Sequence, residues 1–283
     1  MKLLEIMDTE FCTGKEFKQR IIRILYENLF KQGTYLEKIY EDMTKEINED
    51  VIVACNRKII KLYPCDGKNI NDKLNKQCIQ RNSVVYAGHD LPVWRNNPEQ
   101  AKIRIMVITQ DPRRNEVEMT NNGMLPTSNV IGISTPFGLH SQRYRSHKTR
   151  GLVHYLFNRL QEELKNNCNS EELSIYYTDI YKFRGVAPKD VKDTPNMDIY
   201  VKVLRCEIEA YRPNVILLMG NDAQNAWDVI SKNLKTNIQP LRTPHPSPNA
   251  NGKWKEEYRG ISSFTADVKI NLILKRLKEC LKI

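Results

Sequence analysis

Apolar residues recur at helical spacing near the start of the chain. Phe17, Ile21, Ile22, Leu25 and Leu29 share one face of a helix predicted over 15–32. Leu36, Ile39, Tyr40, Met43 and Ile47 do the same for a second helix over 34–48, with a break at Gln32-Gly33. From 51 to 100 the pattern is irregular, and Pro64-Cys-Asp-Gly67 reads as a turn. Beyond residue 100 the pattern alternates. Strand-like runs at 103–109, 174–180, 214–219 and 238–243 are separated or followed by helix-like runs at 151–166, 197–211, 222–234 and 265–281. Such alternation predicts an α/β fold, a central, mostly parallel four-stranded sheet flanked by helices. The expected division is a helical N-terminal extension, 1–100, packed on an α/β domain, 101–283. There is no internal repeat and no low-complexity segment.

Composition narrows the class. A chain of 283 residues that is 40% hydrophobic and 28% charged is long enough to bury a full core and has the balance of a soluble globular protein. Lys+Arg outnumber Asp+Glu by 44 to 34, a formal charge of +10 that suits a polyanion, most simply nucleic acid; surface solubility could produce the same excess. No apolar run reaches the roughly 18 residues a membrane helix needs, and the first residues are too acidic for a secretory signal. Seven scattered cysteines, at 12, 55, 65, 78, 168, 206 and 280, fit a reduced, cytoplasmic chain. Cys55, Cys65, Cys78 and His89 lack any C-x-x-C pair, so no metal is expected. A monomer without a small-molecule cofactor is the simplest expectation.

Polar residues cluster where such sheets carry their sites, at the carboxyl ends of the strands. Gln110-Asp111 follows the first strand, Asp179 lies near the end of the second, and His245 follows the fourth. A carboxylate held by Pro112, as Asp111 is, can orient water or stabilise a cationic centre, although Asp-Pro also starts turns. The stretch Gln239-Pro-Leu-Arg-Thr-Pro-His-Pro-Ser-Pro-Asn249 holds four prolines and makes a stiff loop. His245, fixed between two of them, can donate one hydrogen bond to a developing oxyanion, or simply bond to a loop carbonyl.

Four blocks then come in a telling order: Thr109-Gln-Asp-Pro-Arg-Arg114, Ile175-Tyr-Tyr-Thr-Asp-Ile-Tyr-Lys-Phe-Arg184, Asn214-Val-Ile-Leu-Leu-Met-Gly-Asn-Asp-Ala-Gln224 and His245-Pro-Ser-Pro-Asn249. Across residues 101–260 this series resembles the uracil-DNA glycosylase superfamily. The resemblance implies an enzyme that flips a base out of DNA and hydrolyses its N-glycosidic bond. It implies that Asp111 positions the water and that His245 stabilises charge on the base O2. Gln110 would line the pocket, and Phe137 would stack on the flipped base or else belong to the core. Pro246, Ser247 and Pro248 would pinch the DNA backbone, with Asn249 at the wedge position. Arg143 and Arg145, in a basic stretch, would contact phosphates or form a solvated loop.

Two departures from the family pattern redirect the substrate. Uracil-specific members read their base with Asn where this chain has Asp179, and an ionised Asp only accepts hydrogen bonds. It suits the exocyclic amine of cytosine; a helix cap or a pairing with Lys182 or Arg184 is the competing reading. The Tyr that fills the space beside base C5 is replaced by Arg113. Excision of plain cytosine would destroy the cell's own DNA. The expected substrate is therefore a 5-modified cytosine, hydroxymethylated or glucosylated, of phage DNA, removed as antiviral defence by a monofunctional glycosylase. Uracil excision in repair is the alternative, and a catalytically inactive DNA-binding module is the alternative of another class.

Overall fold

The computed structural model describes residues 12–30, 32, 36–37, 40–41, 91–109, 152–164, 172–180, 197–234, 238 and 240–282. Five strands form one sheet in the order β1-β3-β2-β4-β5, with β1 at Val93–Arg95, β2 at Ile103–Thr109, β3 at Leu173–Asp179, β4 at Val215–Met219 and β5 at Pro240–Thr243. The last four strands are mutually parallel, as the alternating pattern leads one to expect. β1 is the difference from the four-stranded expectation: it pairs antiparallel with β3, Val93 opposite Tyr177 and Arg95 opposite Ile175. At three residues it is too short to leave an alternating signature.

β3 and β4 are buried along their whole length, because helices cover both faces of the sheet. Six helices are described: α1 at Lys15–Asn28, α2 at Leu152–Leu164, α3 at Met197–Tyr211, α4 at Asn221–Ile230, α5 at Asn251–Glu257 and α6 at Ala266–Leu281. Residues at alternate positions of β3 address opposite layers. Ser174 and Thr178 bond to Tyr211 and Glu207 of α3. On the other face Arg95, beside Ile175, donates to Asn158 of α2 at 2.9 Å and lies 3.9 Å from the Phe157 ring centroid. α6 packs against α2 on that same side.

The first helix is built into the core. Phe17 meets Trp94, Tyr176 and Tyr211 at ring-centroid distances of 4.9, 6.0 and 5.8 Å. Tyr40 joins the same cluster through Trp94 and donates to the Pro92 carbonyl at 2.9 Å. Among the described residues no helix is long and apolar enough to cross a membrane.

Chain order reverses around β2: the chain passes to β3 on one side and then to β4 on the other. The carboxyl ends of β2 and β4 therefore flank the switch point, where open α/β sheets bind their ligands.

Candidate active site

Thr109 ends β2 and Asp179 ends β3, paired in register. Since side chains alternate along a strand, Tyr177 and Asp179 share a face, and Thr109 faces them from the neighbouring strand. The Tyr177 hydroxyl donates to Asp179 Oδ1 at 2.9 Å and lies 2.7 Å from Thr109 Oγ1, which donates to the same Oδ1. Asp179 is fully buried. An oxygen that takes two hydroxyl donors acts through its lone pairs, so Oδ1 is an acceptor here. Lys182 and Arg184, its suggested partners, lie outside the described residues.

On the other side of the switch point, β4 ends in Met219 and the chain turns at Gly220, with φ +94° and ψ 163°. That conformation is essentially reserved for glycine. The turn lets the Gly220 N–H donate to the Thr243 carbonyl at 2.9 Å, and Gln224 Nε2 reaches the same oxygen at 3.1 Å. Both contacts clamp the end of β5 just before Pro244-His245. A Cβ on Gly220 would come into ordinary van der Waals contact with His245 Cβ, at 3.4 Å, so the backbone conformation is what calls for glycine.

His245 Nδ1 accepts the backbone N–H of Ser247 at 3.1 Å. The neutral ring therefore carries its proton on Nε2, leaving that N–H as a donor. Behind the loop, Trp254 Nε1 donates to the His245 carbonyl at 3.0 Å. Lys269 Nζ donates to the carbonyls of Pro246 at 2.9 Å and Ser247 at 3.3 Å. Burial pulls the Lys269 ammonium below the ordinary lysine pKa. Pro248 and Asn249 open a short 3-10 turn, Pro248–Ala250, that leads directly into α5.

Of the residues singled out in the sequence, Asp179, His245, Pro246, Ser247, Pro248 and Asn249 are thus placed on loops and strand ends at the carboxyl edge of the sheet. Gln110, Asp111, Arg113, Phe137, Arg143 and Arg145 lie outside the described residues, as do Cys55, Cys65, Cys78 and His89. Among the described residues no group of His, Cys, Asp and Glu could hold a metal ion. Sequence reasoning missed Tyr177, Thr109, Gly220 and Lys269 as parts of this site. Two left a signal. Tyr177 stands two positions before Asp179 in a strand, and Lys269 falls in register with apolar Ile273 and Leu277 on α6.

No curated protein matches the chain at a significant level. The family model described as the uracil-DNA glycosylase superfamily matches residues 98–269, a span that runs from before β2 into the first turn of α6. With the sheet agreeing and the match covering more than half of the chain, the protein belongs to the uracil-DNA glycosylase superfamily.

Proposed function

We propose that this protein is a monofunctional DNA glycosylase that removes a 5-modified cytosine, hydroxymethylated or glucosylated, from phage DNA. The nucleotide is flipped into the crevice at the switch point, the C1′–N bond breaks, and water adds to C1′. The released base takes up a proton and an abasic site remains. Asp111 orients the water and stabilises the cationic sugar; His245, through Nε2–H, donates to the charge that develops on base O2. Gln110 lines the pocket and Phe137 stacks on the base. Pro246, Ser247 and Pro248 hold the DNA backbone, Asn249 enters the duplex, and Arg143 and Arg145 meet phosphates.

The observation that carries the substrate is the state of Asp179. Uracil offers the acceptor O4 to the base-reading position, whereas cytosine offers the donor N4–H2. Asp179 Oδ1 already accepts from the Tyr177 and Thr109 hydroxyls, which supports a side chain that serves as an acceptor, and an ionised carboxylate complements an amine. Arg113 in place of a ring leaves the C5 side open to a substituent, and demanding that substituent spares the cell's own cytosine.

The test is base release read by mass spectrometry from DNA holding uracil, cytosine, 5-hydroxymethylcytosine or its glucosylated form, with Asp111→Asn as control. Release of a modified cytosine alone is expected. Release of uracil alone would move the protein to base-excision repair. No release from any of them, with DNA affinity kept, would mark it as a binding module.

A further inference from the structure

Lys269 occupies a place that an apolar residue would fill at lower cost. It sits in the stripe of α6 formed by Ile270, Ile273, Leu274 and Leu277, and is only 3% exposed. Burying an ammonium forfeits its hydration unless hydrogen bonds replace it. Among the described residues Lys269 enters no ion pair. Its contacts are the carbonyls of Pro246 and Ser247 and, at 5.9 Å from the ring centroid, the face of Trp254.

The Pro246 carbonyl and the Ser247 N–H are the two ends of one peptide group. A continuous line of hydrogen bonds therefore runs from Lys269 Nζ to the Pro246 oxygen, through that amide, and from the Ser247 nitrogen to His245 Nδ1. A cation on the oxygen polarises the amide and makes its N–H a stronger donor, since hydrogen bonds in series reinforce one another in a low-dielectric interior. A stronger donor at Nδ1 keeps that nitrogen an acceptor and holds the proton on Nε2. With Trp254 on the His245 carbonyl, three successive loop carbonyls are bonded from behind by α5 and α6.

We propose that Lys269 is the positioning residue of the His245 loop, fixing the imidazole as the Nε2–H tautomer through the Pro246–Ser247 peptide. The proposal rests on the glycosylase reading for its consequence in rate, but not for its effect on the ring.

Two readouts on the full chain separate the two. Lys269→Met removes charge and donor, Lys269→Arg keeps both, and Lys269→Gln keeps a neutral donor should the Met variant fail to fold. The 15N spectrum of the histidine ring is expected to show one His245 tautomer in the wild type and a mixture in the Met variant. The Gln variant is expected to show the same mixing, less pronounced. Single-turnover base release by Lys269→Met is expected to fall about 10- to 100-fold, as when other partners that orient an imidazole are lost, with affinity for abasic DNA unchanged. Lys269→Arg is expected to retain most of the rate. A folded Met or Gln variant with wild-type tautomer and wild-type rate overturns the proposal. If the wild type releases no base, the glycosylase reading fails, and the nitrogen spectrum alone decides the role of Lys269.

Discussion

Tyr177 and Asp179 project from the same face of β3, and the tyrosine hydroxyl donates to Asp179 Oδ1 at 2.9 Å. Together with Thr109 on β2 it holds the carboxylate in one orientation at the carboxyl edge of the sheet. The position proposed to read the base is thus held rigidly, which favours discrimination over tolerance.

Asp179→Asn exchanges a carboxyl group for an amide whose NH2 can donate to O4. In the base-release panel, this variant is expected to lose activity on modified cytosine by about 100-fold or more, because unpaired polar groups in a buried pocket discriminate strongly. It is also expected to gain measurable release of uracil. Tyr177→Phe keeps the carboxylate but removes a donor, and its loss on modified cytosine is expected to be smaller. Unaltered selectivity in Asp179→Asn would show that this residue does not read the base.

Gly220→Ala imposes a side chain on a backbone that only glycine adopts comfortably, at a cost of about 1–3 kcal/mol. The new Cβ also meets His245 Cβ at 3.4 Å. Thermal denaturation is expected to show a lowered Tm, and base release is expected to fall more than the lost stability explains. A variant with wild-type Tm would refute the strain.

Phe17→Ala tests whether α1 belongs to the folded core. Its ring is buried among Trp94, Tyr176 and Tyr211, so truncation is expected to cost about 3–5 kcal/mol. Urea unfolding should record this as a lower midpoint with unchanged slope. A loss below about 1 kcal/mol, the size typical of a surface change, would mean that α1 is dispensable.

The exposed Asp228 is held below the ordinary carboxylate range by hydrogen bonding to the Arg242 guanidinium. Because its folded pKa is depressed, its contribution to stability is present above the unfolded value near 3.8 and is lost as pH falls through the lower folded value. Asp228→Asn is therefore expected to flatten the acid limb of the stability profile slightly and to leave neutral stability almost unaltered, since exposed pairs are screened. A large loss at neutral pH would contradict this.

Much of this protein was written locally in its sequence. The apolar runs of β2 and β4 announced buried parallel strands, and the spacing of Ile270, Ile273, Leu274 and Leu277 announced α6. The Gln110-Asp111 and His245-Pro-Ser-Pro blocks pointed to one edge of the sheet because strand order and side-chain period are properties of the chain itself. β1 escaped notice because three residues carry no period; it is a strand only because β3 offers it an edge. The same holds for the contacts that tune the site. Thr109 and Asp179 are 70 positions apart and meet only when β2 and β3 pair in register. Lys269 is a helix residue whose partners, 22 and 23 positions earlier, reach it only when the loop folds back on α6. Periodicity reports which face of an element is buried, but not which polar atoms will share that interior. That was decided by the register and packing of elements far apart in the chain, where a buried polar group persists only if the fold brings it a partner.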